Sequence, residues 1–267
     1  MAFCVGGVSM NSVNKTLYIP LYGKSYVSKQ GLILHDPKAE EIWEAEGFAL
    51  KGKSASKWLA YYMGMRSAVF DRWLKQRMEE TPDAVVLHLG CGMDSRVCRV
   101  GTKGLWYDVD FPEVIDARRK YYTESACYKM LGTDVCAPEY LEAVERKNAI
   151  VVMEGISMYL QPQELNQLLD HICRRFEKVN LLMDCYTTFA AKASKYKNPI
   201  NDVGVTEVYG LDDPKLLEGS GLTFWQEMDM TPPDLINQLQ GMERAIFKKL
   251  YAGSVARKMY RMYEYRK

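Results

Sequence analysis

Seven short apolar runs recur along the chain and limit the folds that it can adopt. They are AVVLHLG (84–90), LWYDVD (105–110), CYKML (127–131), AIVVMEG (149–155), VNLLMDC (179–185), LTFWQEM (222–228) and KMYRMYEY (258–265). Several of them are continuous rather than alternating, which is typical of strands covered on both faces. Helical patterns lie between many of these runs. Strands that alternate with helices predict a mostly parallel, doubly wound α/β sheet.

Two helical patterns and the C-terminal stretch give further local predictions. From Pro162, apolar residues recur at helical spacing on one stripe, and proline suits the first turn of a helix. A second pattern follows Pro233 and predicts one helix that ends before Gly253. The last eleven residues, RKMYRMYEYRK, alternate charge with Met and Tyr, which predicts an edge strand with one face in water.

The first 80 residues do not follow the strand-helix alternation. One helix is expected to open at Asp36-Pro37, with Asp36 as its cap, and a longer one carries Trp58, Tyr62, Met65, Val69 and Trp73 at helical spacing. We therefore expect a helical cover over residues 1–80 and a core over residues 81–267. Within that core, residues 186–221 form an insertion on the substrate side, because their polar stretch is too long for a simple connection.

Composition excludes several classes of function. The 35 basic and 34 acidic residues nearly cancel, so the chain lacks the charge that binds a nucleic acid backbone. No apolar run approaches the roughly 20 residues that cross a bilayer, so no membrane association is expected. Seven cysteines without a CxxC pair predict reduced thiols, most of them buried, and a cytoplasmic location. The three histidines are not spaced as a ligand set, so no metal site is predicted.

The stretch VVLHLGCGMDSRV (85–97) reads as a buried strand that enters a turn with Gly90 and Gly92. A dinucleotide site would place a third glycine where this chain has Ser95, and Asp94 puts negative charge where pyrophosphate would lie. The turn is therefore better suited to a ligand without phosphates.

An acidic residue ends the next predicted strand, at about the distance from the glycines that a ribose-binding carboxylate keeps. Asp110 fills this position, although it could instead cap a helix at Pro112, and Asp108 on the same strand face competes with it. A glycine turn with a ribose acid and no pyrophosphate site favours S-adenosylmethionine as cofactor. A nicotinamide-dependent oxidoreductase remains the alternative.

Three motifs in order, LGCGMDSRVCR, WYDVDFPEVID and VVMEGISMYL, resemble the leucine carboxyl methyltransferase family, in particular its bacterial branch that includes the tetracenomycin polyketide O-methyltransferase. The segments TLYIPLYGKSY, LHDPKAEEI, MRSAVFDRWL and YGLDDPKLLEGSGL extend the resemblance over most of the chain. The resemblance implies a class I, Rossmann-like methyltransferase fold. Its seven-stranded, mostly parallel sheet would have an antiparallel last strand, a helical N-terminal cover and an insertion after strand 5.

The resemblance also implies roles for particular residues. Lys24 and Arg66 would hold the methionine carboxylate of S-adenosylmethionine, Gly90 and Gly92 would face its methionine part, Asp110 the ribose, and Asp134 and Val135 the adenine. Glu154 would lie under the cofactor near the transferred methyl, and S-adenosylhomocysteine would be the product. Taken without the family pattern, Lys24 reads as a solvated loop lysine and Arg66 as a surface partner of Asp71.

Methyl transfer is an in-line displacement, so the protein must hold the nucleophile close to the methyl carbon. A carboxylate is already ionised at pH 7, and none of the three histidines falls on a strand-end loop as a base for an alcohol or phenol. This favours a carboxylate acceptor, or a phenol activated by placement, on a small or medium metabolite. Tyr159, just after Glu154, is the residue expected to touch that acceptor. A protein C-terminal carboxyl methyltransferase is a further alternative.

Overall fold

A computed structural model describes residues 17–47, 50, 52–194 and 207–267. Within these residues, seven strands form one sheet in the order β3-β2-β1-β4-β5-β7-β6. They are β1 Val85–Leu89, β2 Trp106–Asp110, β3 Tyr128–Gly132, β4 Asn148–Met153, β5 Lys178–Tyr186, β6 Thr223–Glu227 and β7 Tyr260–Arg266. Strands β1 to β5 are parallel, and β7 runs antiparallel to both β5 and β6. The predicted α/β fold with an antiparallel last strand is confirmed, and each apolar run overlaps one strand.

Helices cover both faces of this sheet. They are α1 Tyr18–Lys29, α2 Pro37–Glu46, α3 Lys57–Glu80, α4 Arg96–Val100, α5 Pro112–Arg118, α6 Glu139–Glu142, α7 Pro162–Arg175, α8 Thr188–Ser194, α9 Pro233–Ile236, α10 Gly241–Leu250 and α11 Gly253–Arg257. Short 3-10 turns span Gly52–Ala55, Ser157–Tyr159 and Pro214–Ser220. Helix α2 begins as predicted, because the Asp36 carboxylate accepts the N–H of Ala39 at 3.0 Å. Helix α7 also begins at the predicted residue. None of the described helices combines the length and apolar character that a bilayer crossing needs.

The prediction of one helix after Pro233 is wrong. The chain forms three short helices there, because Gln240 is extended and both Gly241 and Gly253 adopt positive φ. These breaks turn the chain, so the apolar stripe read from the sequence is divided among α9, α10 and α11. Part of that stripe faces solvent, since Met242 is 82% exposed.

The prediction of an edge position for the C-terminal strand is also wrong. Strand β7 lies between β5 and β6, and β6 takes the edge instead. Glu264, which the alternation places in water, is completely buried and accepts a hydrogen bond from Gln226 Nε2 at 2.7 Å. The charges within this strand are paired in the sheet, Glu264 with Arg266 and Arg261 with Glu227 of β6.

Two further sequence expectations meet the structure only in part. Six cysteines fall among the described residues and all are unpaired, but Cys98 and Cys127 are exposed rather than buried. Residues 1–16 of the expected cover and residues 195–206 of the expected insertion lie outside the described residues.

Helices α1 and α3 pack closely where glycines face the partner helix. A Cβ added at Gly23 would lie 2.7 Å from Met63 Cβ, and one added at Gly64 would lie 2.8 Å from Val27 Cγ2. The missing side chains allow the two backbones to approach. This packing brings Lys24 and Arg66 to the carboxyl ends of β1 and β4, where the strand order reverses and ligands of open α/β sheets bind.

Candidate active site

A cavity of about 130 Å³ lies at the carboxyl ends of β1 and β4, beneath α1 and α3. Six residues singled out in the sequence line it: Lys24, Arg66, Gly90, Gly92, Glu154 and Tyr159. They come from four parts of the chain that are remote in sequence. The structure thus brings most of the predicted site together at one point of the sheet.

Both glycines of the turn after β1 have backbone conformations that L side chains rarely adopt, with φ of +64° at Gly90 and +50° at Gly92. A Cβ at Gly90 would also lie 2.5 Å from Cδ1 of Ile156, which follows β4. Glycine is therefore required at position 90 for two independent reasons. The N–H of Gly90 donates to Val109 O at 2.8 Å, which ties the turn to the end of β2.

The structure distinguishes the two acids of β2. Asp108 is completely buried and its oxygens are saturated by Arg118, the hydroxyl of Tyr128, Trp106 Nε1 and His88 Nδ1. Burial opposes ionisation there, but Arg118 outweighs it and lowers the pKa of Asp108 to about 2. Asp108 therefore holds the sheet and α5 together and has no free oxygen for a ligand.

Asp110 has a different environment. Its Oδ2 accepts the N–H of Gly92 at 2.7 Å and its Oδ1 accepts the N–H of Phe111 at 2.8 Å. Burial raises the pKa of Asp110, against the opposing effect of these two backbone donors. The carboxylate is thus fixed against the glycine turn, and it does not cap α5.

Lys24 lies on α1 and is buried, so its reading as a solvated loop lysine is wrong. Its Nζ lies 3.0 Å from Oδ1 of Asp94 in the glycine turn. Arg99 Nη1 donates to the same oxygen at 2.9 Å, and Arg96 Nη2 lies 3.2 Å from Oδ2. Burial alone would raise the pKa of Asp94, but Arg99, Lys24 and Arg96 hold it well below its usual range.

Arg66 is buried on α3 and does not pair with Asp71, so that alternative reading is wrong. Its Nε donates to Glu154 Oε1 at 3.1 Å, and its Nη1 donates to Asp184 Oδ2 at 2.9 Å. Residues five apart on a helix point about 140° away from each other, which separates Arg66 from Asp71. Asp71 instead accepts from Arg96 Nε at 2.8 Å and from Arg99 Nε at 2.6 Å.

Glu154 follows β4, and its carboxylate is held between two guanidinium groups. Oε1 faces Arg66, while Oε2 accepts from Arg96 Nη2 and, at 3.4 Å, from the hydroxyl of Ser67. Burial disfavours the charged form, but Arg96, Arg66 and Lys24 outweigh it and lower the pKa of Glu154 to about 2. The group is therefore a fixed anion at the cavity wall.

Sequence reasoning missed two basic residues, Arg96 and Arg99, although both stand in the helix that follows the glycine turn. Both are almost completely buried. Arg99 Nη1 donates to Asp36 at 2.6 Å, and the hydroxyl of Ser95 donates to the same carboxylate at 2.6 Å. Ser95 thus links the turn to the cap of α2. Their spacing of three residues directly after the glycine turn is the sequence signal that could have predicted them as part of the site.

The predicted adenine residues lie apart from the lining of this cavity. Asp134 and Val135 follow β3, the strand beside β2. The Asp134 carboxylate accepts the N–H of Cys136 at 2.9 Å, and Val135 is buried.

Aromatic side chains form the wall of the cavity away from the glycine turn. Tyr159 comes from the 3-10 turn after β4, Tyr186 ends β5 and Tyr260 begins β7. The rings of Tyr186 and Tyr260 meet edge to face with centroids 4.8 Å apart, and the Tyr260 hydroxyl lies 3.1 Å from Arg66 Nη1.

One histidine reaches the cavity, although it lies within a strand and not on a strand-end loop. His88 lines it from within β1. Its Nδ1 lies 3.0 Å from Asp108 Oδ1 and its Nε2 lies 3.4 Å from Arg96 Nη1, so both ring nitrogens are engaged. It is a poor candidate for the base that deprotonates an acceptor.

The seven-stranded sheet, parallel except for β7, is the fold of the Rossmann-like methyltransferase class. The family model of leucine carboxyl methyltransferase matches residues 21–173, more than half of the chain. The protein therefore belongs to the leucine carboxyl methyltransferase family. As a member, it is a methyltransferase that uses S-adenosylmethionine, and the nicotinamide alternative falls away.

Two curated relatives extend over most of the chain. The tetracenomycin polyketide synthesis O-methyltransferase TcmP of Streptomyces glaucescens is 28% identical over 244 residues, which cover 89% of this chain and 90% of that protein. The S-adenosyl-L-methionine-dependent methyltransferase dpfgK of Gibberella zeae is 26% identical over 238 residues, with 80% of each chain covered.

Solved structures show the same fold at much lower identity. A methyltransferase candidate from Thermobifida fusca superposes with a TM-score of 0.55 at 13% identity, covering 92% of this chain and 94% of that one. Magnesium protoporphyrin IX methyltransferase of Synechocystis, solved with S-adenosylhomocysteine, superposes with a TM-score of 0.50 at 10% identity and covers 86% of this chain and 93% of that one.

Proposed function

We propose that this protein transfers a methyl group from S-adenosylmethionine to an oxygen of a small or medium metabolite, either a carboxylate or a phenol. The observation that carries the proposal is the convergence of Lys24, Arg66, Glu154 and the glycine turn on one cavity at the carboxyl ends of β1 and β4. The relative TcmP, an O-methyltransferase of polyketide synthesis, supports an acceptor of this size. The unpaired thiols among the described residues support action in the cytoplasm.

The charges and the backbone of the cavity fit the cofactor. Lys24 and Arg66 would hold its carboxylate through charge-assisted hydrogen bonds, with Lys24 shared between that group and Asp94. Glu154, held as an anion, would offset the positive charge of the methionine part. Gly90 and Gly92 allow the methionine part to lie against bare backbone. When bound, the cofactor supplies an electrophilic methyl on sulfonium.

The rest of the cofactor would extend across the neighbouring strands. Asp110 ends β2 beside the glycine turn, which supports its role toward the ribose. Asp134 and Val135 follow β3, which lies beside β2 toward the edge of the sheet. An adenine that extends from a ribose at Asp110 would reach them there. We also propose that residues 1–80 act as the cover, residues 81–267 as the core, and residues 186–221 as the insertion that contributes to acceptor choice.

The aromatic wall would receive the acceptor. This wall offers the ring faces of Tyr159, Tyr186 and Tyr260 to a bound molecule, and the apolar side chains of Met63 and Met158 add to it. These side chains would exclude water and hold the acceptor oxygen in line with the transferred methyl. A carboxylate oxygen is a nucleophile at pH 7 without a base, which suits a cavity whose histidine is already engaged.

Calorimetry with S-adenosylhomocysteine tests the cofactor site. Binding to the wild type is expected, with at least tenfold weaker binding (about 1.4 kcal/mol) in Arg66→Ala and Asp110→Ala. Unchanged affinity in both folded variants would place the cofactor elsewhere and overturn the site.

Labelled methyl transfer then tests the acceptor. Paired aromatic compounds that carry a carboxylate, a phenol or only the methyl ester are offered beside a peptide ending in leucine. Label on the carboxylate or phenol and none on the ester-only compound supports the proposal. Label on the peptide alone would overturn it in favour of a protein C-terminal carboxyl methyltransferase.

A further inference from the structure

We propose that Arg96 is the positioning residue that fixes the orientation and the charge of Glu154 in the active site. The inference rests on the proposed role of Glu154 beside the cofactor. Arg96 begins α4, directly after the glycine turn, so one residue joins the turn after β1 to the acid after β4.

The guanidinium of Arg96 is held at every nitrogen. Its side chain is completely buried, Nε donates to Asp71 Oδ1 at 2.8 Å, and Nη2 donates to Ser67 Oγ at 3.2 Å and to Glu154. Nη1 lies 3.4 Å from His88 Nε2. The group also lies 5.2 Å from the centroid of the Phe70 ring. Such a fork has one orientation available to it and therefore fixes whatever it binds.

The two oxygens of Glu154 are divided between two arginines from different elements. Oε1 belongs to Arg66 on α3, and Oε2 belongs to Arg96 on α4. Loss of Arg96 leaves Oε2 with the hydroxyl of Ser67 at 3.4 Å, so the carboxylate can rotate about its terminal bond. The orientation offered to the cofactor would then no longer be unique.

The charges around Glu154 make Arg96 decisive for its ionisation. Three cations face this carboxylate, namely Arg66 from α3, Arg96 from α4 and Lys24 from α1. Two further carboxylates face it, Asp94 from the turn and Asp184 from β5. Removal of Arg96 leaves Glu154 with Arg66 and Lys24, which are shared with Asp184 and Asp94, and burial then favours protonation of Glu154.

Arg99 provides a matched control one turn further along the same helix. It is 5% exposed, carries the same charge and also donates to Asp71. Its other bonds go to Asp36, Asp94, Ser95 and the hydroxyl of Ser67. Loss of Arg99 therefore disturbs the same ion network without removing a ligand of Glu154.

The test measures S-adenosylhomocysteine affinity by calorimetry between pH 5 and 8 in the full-length protein, with unfolding midpoints recorded for every variant. Arg96→Gln is expected to weaken binding at least tenfold and to move the loss of affinity on acidification to higher pH. Arg99→Gln is expected to move the pH profile much less than Arg96→Gln does, because Arg99 acts on Asp94 and does not bind Glu154. In a Glu154→Gln background, Arg96→Gln should change affinity by less than about threefold, because residue 154 then carries no charge for Arg96 to hold.

The outcomes separate this inference from the proposed function. No binding by the wild type would overturn the function itself, and equal binding by wild type and Glu154→Gln would remove the role of Glu154. Equal pH profiles in Arg96→Gln and Arg99→Gln, or a full tenfold loss in the Glu154→Gln background, would overturn the role of Arg96. If Arg96→Gln does not fold, Arg96→Lys takes its place. The lysine charge should keep the wild-type pH profile, while S-adenosylhomocysteine binding weakens because the fork that orients Glu154 is lost. Wild-type affinity in Arg96→Lys would contradict the positioning role.

Discussion

Lys24 on α1 and Asp94 in the glycine turn form a buried ion pair, with 3.0 Å between Nζ and Oδ1. Arg99 and Arg96 bind the same carboxylate, so Asp94 stays compensated even without the lysine. Lys24 lines the cavity. The pair therefore places a cation at the cavity without making the fold depend on it.

Lys24→Met should weaken S-adenosylhomocysteine binding at least tenfold, because the methionine carboxylate loses a charged donor. The variant should remain folded, since Asp94 retains two arginines. Lys29→Met is the control on the same helix, where an exposed pair with Glu44 is removed and affinity should not change. Calorimetry gives both values, and equal affinities in the two variants would contradict the placement.

The two acids of β2 should respond differently to the same substitution. Asp110→Ala removes an acceptor from Gly92 N–H and should reduce cofactor affinity at least tenfold. Asp108→Ala leaves the buried Arg118 without its carboxylate and should lower the free energy of unfolding by about 3–5 kcal/mol. Denaturant titration and calorimetry measure the two effects. The assignment of Asp110 to the cofactor and Asp108 to stability would be wrong if Asp108→Ala kept its stability and only Asp108→Ala lost cofactor affinity.

Gly90→Ala should destabilise the protein more than Gly31→Ala does. Both glycines have a φ of +64°, so both substitutions carry the strain of a left-handed conformation, about 1–2 kcal/mol. Only Gly90 has Ile156 Cδ1 2.5 Å from the position of the new Cβ, whereas nothing lies within 4 Å at Gly31. Unfolding in urea measures the difference. Equal decreases in the free energy of unfolding would show that the Ile156 side chain can move aside at no cost.

Acid should destabilise the protein through its buried carboxylates. The pKa values of Glu154 and Asp108 are both lowered to about 2, from 4.5 and 3.8, by the arginines beside them. The unfolded chain therefore binds more protons than the folded one as the pH falls below about 4.5, and stability is lost from there down to about pH 2. Thermal melts across pH 2–6 measure this limb. It should be shallower in Glu154→Gln, and an identical slope would contradict the lowered pKa.

Tyr159→Ala should impair the acceptor and spare the cofactor. Tyr159 lies on the aromatic side of the cavity and follows Glu154 by one short turn. Once an acceptor is known, its KM should rise while S-adenosylhomocysteine affinity stays within about twofold. A loss of cofactor affinity without a change in the KM of the acceptor would show that Tyr159 contacts the cofactor instead.

Local sequence patterns were enough to predict the seven strands, the start of α2 at the Asp36 cap, the start of α7 at Pro162 and the glycine turn. Each of these depends on residues within a few positions of one another, through periodicity, capping or backbone conformation. The resemblance to a family added Lys24, Arg66 and Glu154, which no local pattern would have joined.

Which charges meet depends on the packing of elements that are remote in sequence. Arg66 reaches Asp184, 118 positions away, and Arg96 reaches Glu154 across 58 positions. The choice between Asp108 and Asp110 depended on Arg118 and Tyr128, and the inner place of β7 depended on β6 taking the edge. The energy of a buried ion depends on the distance to every neighbouring charge and on the exclusion of water. Those distances are set when elements remote in sequence pack together, so no local pattern contains them.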